Sequence, residues 1–377
     1  MDAEVLVVGA GPAGLATAAC LQRKGIDALI LDRGADVGDT WRSRYDRLHL
    51  HTPRIQSALP GLRMPAEYGR WVSKDDVADY LRRYARHHAI LPRFRSEVRR
   101  LERHGGHWTA LTDGGEVSAR LVVLATGYAN SALRPAWPGQ ETFGGDILHA
   151  SEYRTATPYV GRNVLVVGAG NSGAEIAADL AAGGAGTVHL SVRTPPNVIP
   201  RQLGPLPTTL VAIPMDYSPA WLVDPVNRLL QRWTLGDLTR YGLPAPRAGL
   251  VAQARATGLT PTIDVGMVAS LRAGRVMPVA AVERFDGGEV VLVDGSRLTP
   301  DAVIAATGYS TGLAPMVGHL GVLDHRGHPL VTGVRTLPSA PGLRFMGLSF
   351  PLKGQLLQIN LDARAVARVV AAELRNS

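Results

Sequence analysis

The chain has 377 residues, 40 Lys and Arg against 32 Asp and Glu, a formal charge of +8, and one cysteine. That length allows two or three domains with ample core, and the single cysteine excludes a dithiol redox pair and the disulfide-exchanging reductases built on one. All but three of the basic residues are arginine and they are scattered, so the charge reads as compositional bias and no nucleic acid is expected. No apolar run reaches membrane-spanning length, and the N-terminus enters a strand without a basic leader. The expectation is a cytoplasmic protein with no membrane partner and no metal; a homodimer is compatible with this composition.

The first element is Val5-Leu6-Val7-Val8, running into Gly9, Gly11, Pro12, Ala13 and Gly14 and then an alanine-rich helix from Leu15 to Lys24 that holds Cys20. A strand entering G-x-G-x-x-G at a helix start needs the first glycine for a tight turn. The second lets backbone approach a pyrophosphate, and the third packs helix on strand. The pyrophosphate then meets free N–H groups at the positive end of the helix dipole. The next strand, Ala28 to Leu31, ends in Asp32, followed by Arg33. A carboxylate there accepts from a ribose diol and repels a 2′-phosphate, which suits FAD or NAD; an ordinary solvated loop charge is the alternative. Arg82, Arg83, Arg86, His87 and His88 fit the wet face of an amphipathic helix. Turn signals at His104-Gly105-Gly106 and Asp113-Gly114-Gly115 predict a small antiparallel ribbon, before the strand Leu121 to Leu124 closes in Ala125-Thr126-Gly127.

The pattern then repeats. Val164 to Val167 feeds Gly168, Gly170, Asn171, Ser172 and Gly173, and the strand Thr187 to Val192 ends in Arg193. A fixed cation at that tip favours a 2′-phosphate, so the second turn reads as an NADPH site. Asn171 and Ser172 are candidates for hydrogen bonds to that cofactor or for capping the helix. Residues 200–260, rich in Leu, Pro and Trp, fit an apolar cover over a substrate cavity or plain packing. A second ribbon is signalled at Asp286-Gly287-Gly288 and Asp294-Gly295, and the first closing strand returns as Ala302 to Ala306 with Thr307, Gly308 and Tyr309. The fold class expected is α/β, with two Rossmann-like dinucleotide-binding domains for FAD and NADPH, the second inserted into the first. The expected divisions are 1–155 and 301–377 for the FAD-binding domain and 156–300 for the NADPH-binding insert.

Between the halves stand Phe143, Gly145, His149 and Tyr153 in F-x-G-x-x-x-H-x-x-x-Y, and here the sequence resembles the flavin-containing monooxygenases. Tyr153-Arg154 departs from the Baeyer–Villiger branch, whose motif ends in Trp followed by Pro or Asp. Further segments, among them Tyr45-Asp46-Arg47-Leu48, Gly170-Asn171-Ser172-Gly173, Leu235-Gly236-Asp237 and Asp264-Val265-Gly266, look like the YUCCA-type subgroup. Its plant members oxidatively decarboxylate indole-3-pyruvate. The resemblance implies an FAD- and NADPH-dependent monooxygenase that activates O2 as a flavin C4a-(hydro)peroxide and oxygenates a small molecule. Oxidation of an amine or thioether stays open, as does an NADPH-dependent flavin reductase or electron-transfer flavoprotein. It implies that the Phe143–Tyr153 motif couples the geometry of the two nucleotide sites. It also places His51, in Arg47-Leu48-His49-Leu50-His51, as the candidate catalytic group; a loop histidine that only packs is the alternative. Thr40, Trp41, Leu48, Val98, Thr126 and Gln355 join the glycine turns as expected cofactor contacts, with Lys353-Gly354-Gln355 opening the last helix toward the flavin. Arg47 and Arg201 are candidate cations for a keto-acid carboxylate.

Overall fold

The computed structural model describes residues 1–376 other than 216 and 259. The chain opens with β1 (Ala3–Val8), α1 (Pro12–Gln22) and β2 (Ala28–Leu31), continues through α2 (Lys74–His87), and forms β3 (Val98–His104), β4 (His107–Thr112) and β5 (Gly115–Leu124). It then makes β6 (Asp146–His149), β7 (Val164–Val167), α3 (Asn171–Ala182) and β8 (Val188–Ser191). After α4 (Ala220–Leu235) come β9 (Val276–Val279), β10 (Ala302–Ala305), β11 (Leu343–Phe345) and α5 (Gln355–Asn376). Among the described residues no helix is long and apolar enough to cross a membrane.

Two compact units result, one of Met1–Ser43, Thr52–Ser131 and Tyr309–Ser377, the other of Arg44–His51 and Ala132–Gly308. In the first, the sheet order is β2-β1-β5-β4-β3 with β11 beside β5. β5 is long enough to serve twice. Its first half pairs antiparallel with β4 (Trp108 opposite Ala119), and its second half runs parallel to β1 (Val5 opposite Leu121) and to β11. Both predicted turns therefore lie in one ribbon. α1 is apolar on every side and is buried from Ala13 to Leu21, Cys20 included, as a helix without a polar face must be. α2 has the opposite character. Ser73 caps it by accepting from Asp76 N–H, acids fill its first turn, and Arg86 and His87 end it, each group complementing the helix dipole.

The second unit repeats the plan with a parallel sheet ordered β9-β8-β7-β10-β6 and a three-strand ribbon of Val282–Asp286, Glu289–Leu292 and Arg297–Leu298. Its boundaries differ from the sequence divisions at 155/156 and 300/301. β10 pairs in register with both β6 and β7, so residues 132–155 and 301–308 belong with the second sheet. Arg44–His51, a short excursion of the chain, also belongs to this unit.

The two glycine turns have nearly the same geometry. Gly9 and Gly168 sit at φ +108° and +110°, against the carbonyls of Ala125 and Ala306. A Cβ on Gly14 or on Gly173 would lie 1.8 Å from the carbonyl oxygen of Gly9 or Gly168. Only hydrogen fits there, because the helix start rests directly on the turn. Gly11 and Gly170 have nothing within 4 Å of where a Cβ would stand. Gly173→Ala should therefore cost at least the ~1–3 kcal/mol of stability typical of overpacking and lower the thermal midpoint, whereas Gly170→Ala should leave it unchanged. Equal midpoints by circular dichroism would contradict this.

Candidate active site

The first cradle is built on the β1–α1 turn. α1 starts at Gly11 with no side-chain cap, so its leading N–H groups face the open space beside that glycine. Asp32 accepts from the backbone N–H groups of Ala10 and Gly34, both at 2.6 Å. Its carboxylate thus braces the turn and keeps further lone pairs for a ribose. Ala125 donates its N–H to Val8, and the Thr126 hydroxyl is buried without a hydrogen-bond partner among the described residues. Gly127 takes φ +77° with open space beside it. At the start of α5, Gly354 adopts φ +93°, and the Gln355 side-chain nitrogen is likewise buried and unpartnered. Orphaned polar atoms and an uncapped helix start are what a dinucleotide would satisfy, so these residues fit one. A cavity of about 360 Å³ opens beside α5, lined by Gly333, Phe350, Gln358 and Asp362 among others. Burial raises the Asp362 carboxyl above its ordinary value. Arg33 and Thr40 are exposed, Trp41 is half-buried, and Val98 is fully buried in the apolar core of this unit.

The second cradle matches the first. α3 starts at Gly170 without a side-chain cap, and Arg193 is exposed beyond the end of β8 with no hydrogen bond or ion pair among the described residues. That is a free guanidinium where a 2′-phosphate would need one. Asn171 is used differently from the sequence expectation. Its amide nitrogen donates to Pro261 O (3.1 Å) and its oxygen accepts from Ile263 N–H (2.8 Å), so it pins a neighbouring segment and does not cap the helix. Thr307 donates to Leu133 O, and Gly308 O accepts from Leu133 N–H, so both close the turn after β10; Tyr309 follows them into the first unit, half-buried.

The four motif residues frame this second unit. Phe143 packs edge-on against Phe285 at 5.3 Å, and a Cβ on Gly145 would strike the Phe143 ring and Asp301 O. His149 is fully buried, its Nδ1 accepting from Ser151 N–H (3.1 Å) and its Nε2 donating to Gly308 O (3.1 Å). Nε2 thus holds the turn after β10, and Nδ1 holds the chain just after β6. Tyr153 donates to Asp179 on α3 at 2.7 Å and stacks on Tyr159.

A family model described as pyridine nucleotide-disulphide oxidoreductase matches residues 6–200. Indole-3-pyruvate monooxygenase YUCCA1 of Oryza sativa subsp. japonica is 36% identical over 376 residues, covering 98% of this chain and 92% of its own. Probable indole-3-pyruvate monooxygenase YUCCA3 of Arabidopsis thaliana is 35% identical, covering 97% and 86%. The chain belongs to the YUCCA group of flavin monooxygenases. A double mutant of the flavin monooxygenase from Stenotrophomonas maltophilia superimposes with a TM-score of 0.75 at 27% identity, covering 99% of this chain and all of its own. Like its relatives, the chain is an oxidoreductase of the monooxygenase class; with one cysteine, it lacks the dithiol that the family-model description names.

In this YUCCA-group chain the structure brings together residues that sequence reasoning took separately. The Arg44–His51 segment lies on α3. His51 Nε2 is 2.5 Å from Glu175 Oε1, the buried Tyr45 phenol feels the same carboxylate, and Leu48 packs on the apolar core of this unit. Arg47 donates to Val265 O (2.7 Å) and stands 3.9 Å from Asp179, whereas Arg201 donates to Leu50 O (2.7 Å), next to His51. Burial lowers the Arg201 guanidinium to about 10, opposed by the Glu175 charge. Burial first, and Glu175 second, push the Tyr45 phenol well above its ordinary value, which keeps it a donor. Glu175 and Asp179 were missed from sequence. The available signal was Ser172, Glu175 and Asp179 at i, i+3 and i+7, a polar stripe on an otherwise apolar helix.

Burial holds His149 below the ordinary histidine value of 6.5. A depressed histidine stabilises the fold above that value and loses its contribution as pH falls below it. The thermal midpoint should therefore decline on acidification from pH 7 to pH 5. His149→Asn should start lower at pH 7 and show a shallower decline; parallel curves for the two proteins would contradict the assignment.

Proposed function

We propose that the chain binds FAD on the β1–α1 turn and NADPH on the β7–α3 turn, and uses O2 to oxygenate a small organic substrate, an aryl-pyruvate. Bound FAD would accept hydride from NADPH and activate oxygen. The protein's part is to hold, orient and keep dry. The N–H groups leading α1 and α3 take the two pyrophosphates, Asp32 receives the adenosine ribose of FAD, and Arg193 receives the 2′-phosphate of NADPH. Thr126 and Gln355 bring their unsatisfied polar atoms to the flavin. The one observation that carries the reading is two uncapped, glycine-opened helix starts in a chain more than a third identical, over nearly its whole length, to an indole-3-pyruvate monooxygenase.

The substrate class follows from that relative's name and from one cation. Arg47 is engaged by Asp179 and Val265. Arg201, half-buried and donating to Leu50 O next to His51, is the guanidinium we assign to a substrate carboxylate, since Arg binds carboxylate strongly and in a fixed geometry. The balanced reaction takes a keto acid, O2, NADPH and a proton to the shortened acid, CO2, NADP⁺ and water. His51 would hydrogen-bond the reacting oxygen in a water-poor site.

With an aryl-pyruvate, CO2 release should match NADPH consumption, and Arg201→Ala should raise KM for the keto acid while leaving turnover of a neutral thioether unchanged. Thioether oxidation without CO2 release from any keto acid would replace the substrate assignment. Arg193→Ala should raise KM for NADPH far more than for NADH, and equal effects would contradict the 2′-phosphate assignment.

A further inference from the structure

α3 begins at the second glycine turn and carries a carboxylate, Glu175, that is 2% exposed. From the Arg44–His51 segment, His51 Nε2 meets it at 2.5 Å, the buried Tyr45 phenol feels its charge, and Arg201 provides an opposing charge. An ionised carboxylate can only accept, so a neutral His51 facing Glu175 would carry its proton on Nε2 and keep a lone pair on Nδ1. The same arrangement, one ring nitrogen tied to a carboxylate so that the other is defined, orients histidines in many sites. His149 offers a contrast. Both of its nitrogens are committed to backbone groups, which suits a clamp and leaves nothing for chemistry.

Building on the reading of His51 as the group that hydrogen-bonds the reacting oxygen, we propose that Glu175 is its positioning residue. Glu175 fixes the Nε2–H tautomer and so leaves Nδ1 as the nitrogen able to accept a hydrogen bond. Because Glu175 lies near the start of α3, the histidine is held by the same helix start that would carry the nucleotide. An ion pair that merely stabilises the core would show itself in the thermal midpoint alone.

The test uses the full-length holoenzyme with ¹⁵N-labelled histidine. The imidazole nitrogen shifts of His51, assigned by their loss in His51→Ala, report its tautomer directly. The wild type should show the Nε2–H form. Glu175→Gln, which keeps the shape but can donate as well as accept, should give a mixture of tautomers, bind NADP⁺ as the wild type does, and release several-fold more peroxide per NADPH. His51→Ala should leak peroxide equally, and the double variant no more than either. If Glu175→Gln does not fold, Glu175→Asp withdraws the carboxylate by one methylene, and the same loss of a single tautomer is expected.

An unchanged tautomer in the Gln or Asp variant, or leakage that adds in the double variant, would overturn the proposal. A shifted tautomer with unchanged peroxide yield in both single variants would remove His51 from the chemistry and Glu175's role with it. The monooxygenase reading would survive that result and fails only if no substrate is oxygenated.

Discussion

Each nucleotide unit depends on one missing methyl group. The third glycine of each turn, Gly14 or Gly173, lies so close to the carbonyl of the first, Gly9 or Gly168, that a side chain at either position would displace the backbone. That approach seats the start of α1 and of α3 on the strand that precedes it. It also leaves the N–H groups of each helix start uncapped and pointing into open space. Anion binding at a helix start needs this combination of exposed donors and aligned dipole. The parallel sheets serve to hold the turns: β5 and β11 extend one and β10 and β6 the other, and Ala125 and Ala306 close over Gly9 and Gly168.

Within the second unit, polar groups are aligned along α3 with a regular division of labour. Ser172 and Glu175 meet Tyr45 and His51, and Asp179 meets Tyr153 and Arg47. A buried carboxylate without donors would be costly, and each of these is supplied by a segment distant in sequence. The helix that opens on a nucleotide turn thereby also fixes the Phe143–Tyr153 motif and the His51 loop. The motif's residues act as frame: an aromatic plug, a glycine that admits it, a histidine clamp on Gly308, and a tyrosine anchor.

What could be read from sequence was whatever local pattern encodes. Strand–glycine–helix runs, Asp-Gly and Gly-Gly hairpins and the Thr-Gly turns are written in contiguous residues, and the turns of both ribbons fall where those dipeptides stand. Pairing between distant strands is not local. β6 and β10 look like parts of the first unit until their register with β7 and with each other is seen, and nothing in Arg44–His51 announces that it leaves one unit for the other. Glu175 was hidden for a related reason. An acid in an alanine-rich helix looks like a solvated residue, and only the fold shows that its face is covered. Asn171 looked free beside the turn because its partners, Pro261 and Ile263, lie some ninety residues away.

The fate of oxygen tests the central claim most directly. Holoenzyme supplied with NADPH, an aryl-pyruvate and ¹⁸O2 should yield the shortened acid bearing one ¹⁸O atom, with one NADPH consumed and one CO2 released per product and little peroxide. Recovery of all consumed oxygen as peroxide, or a product free of label, would show that the two nucleotide sites serve a reductase and would contradict the account.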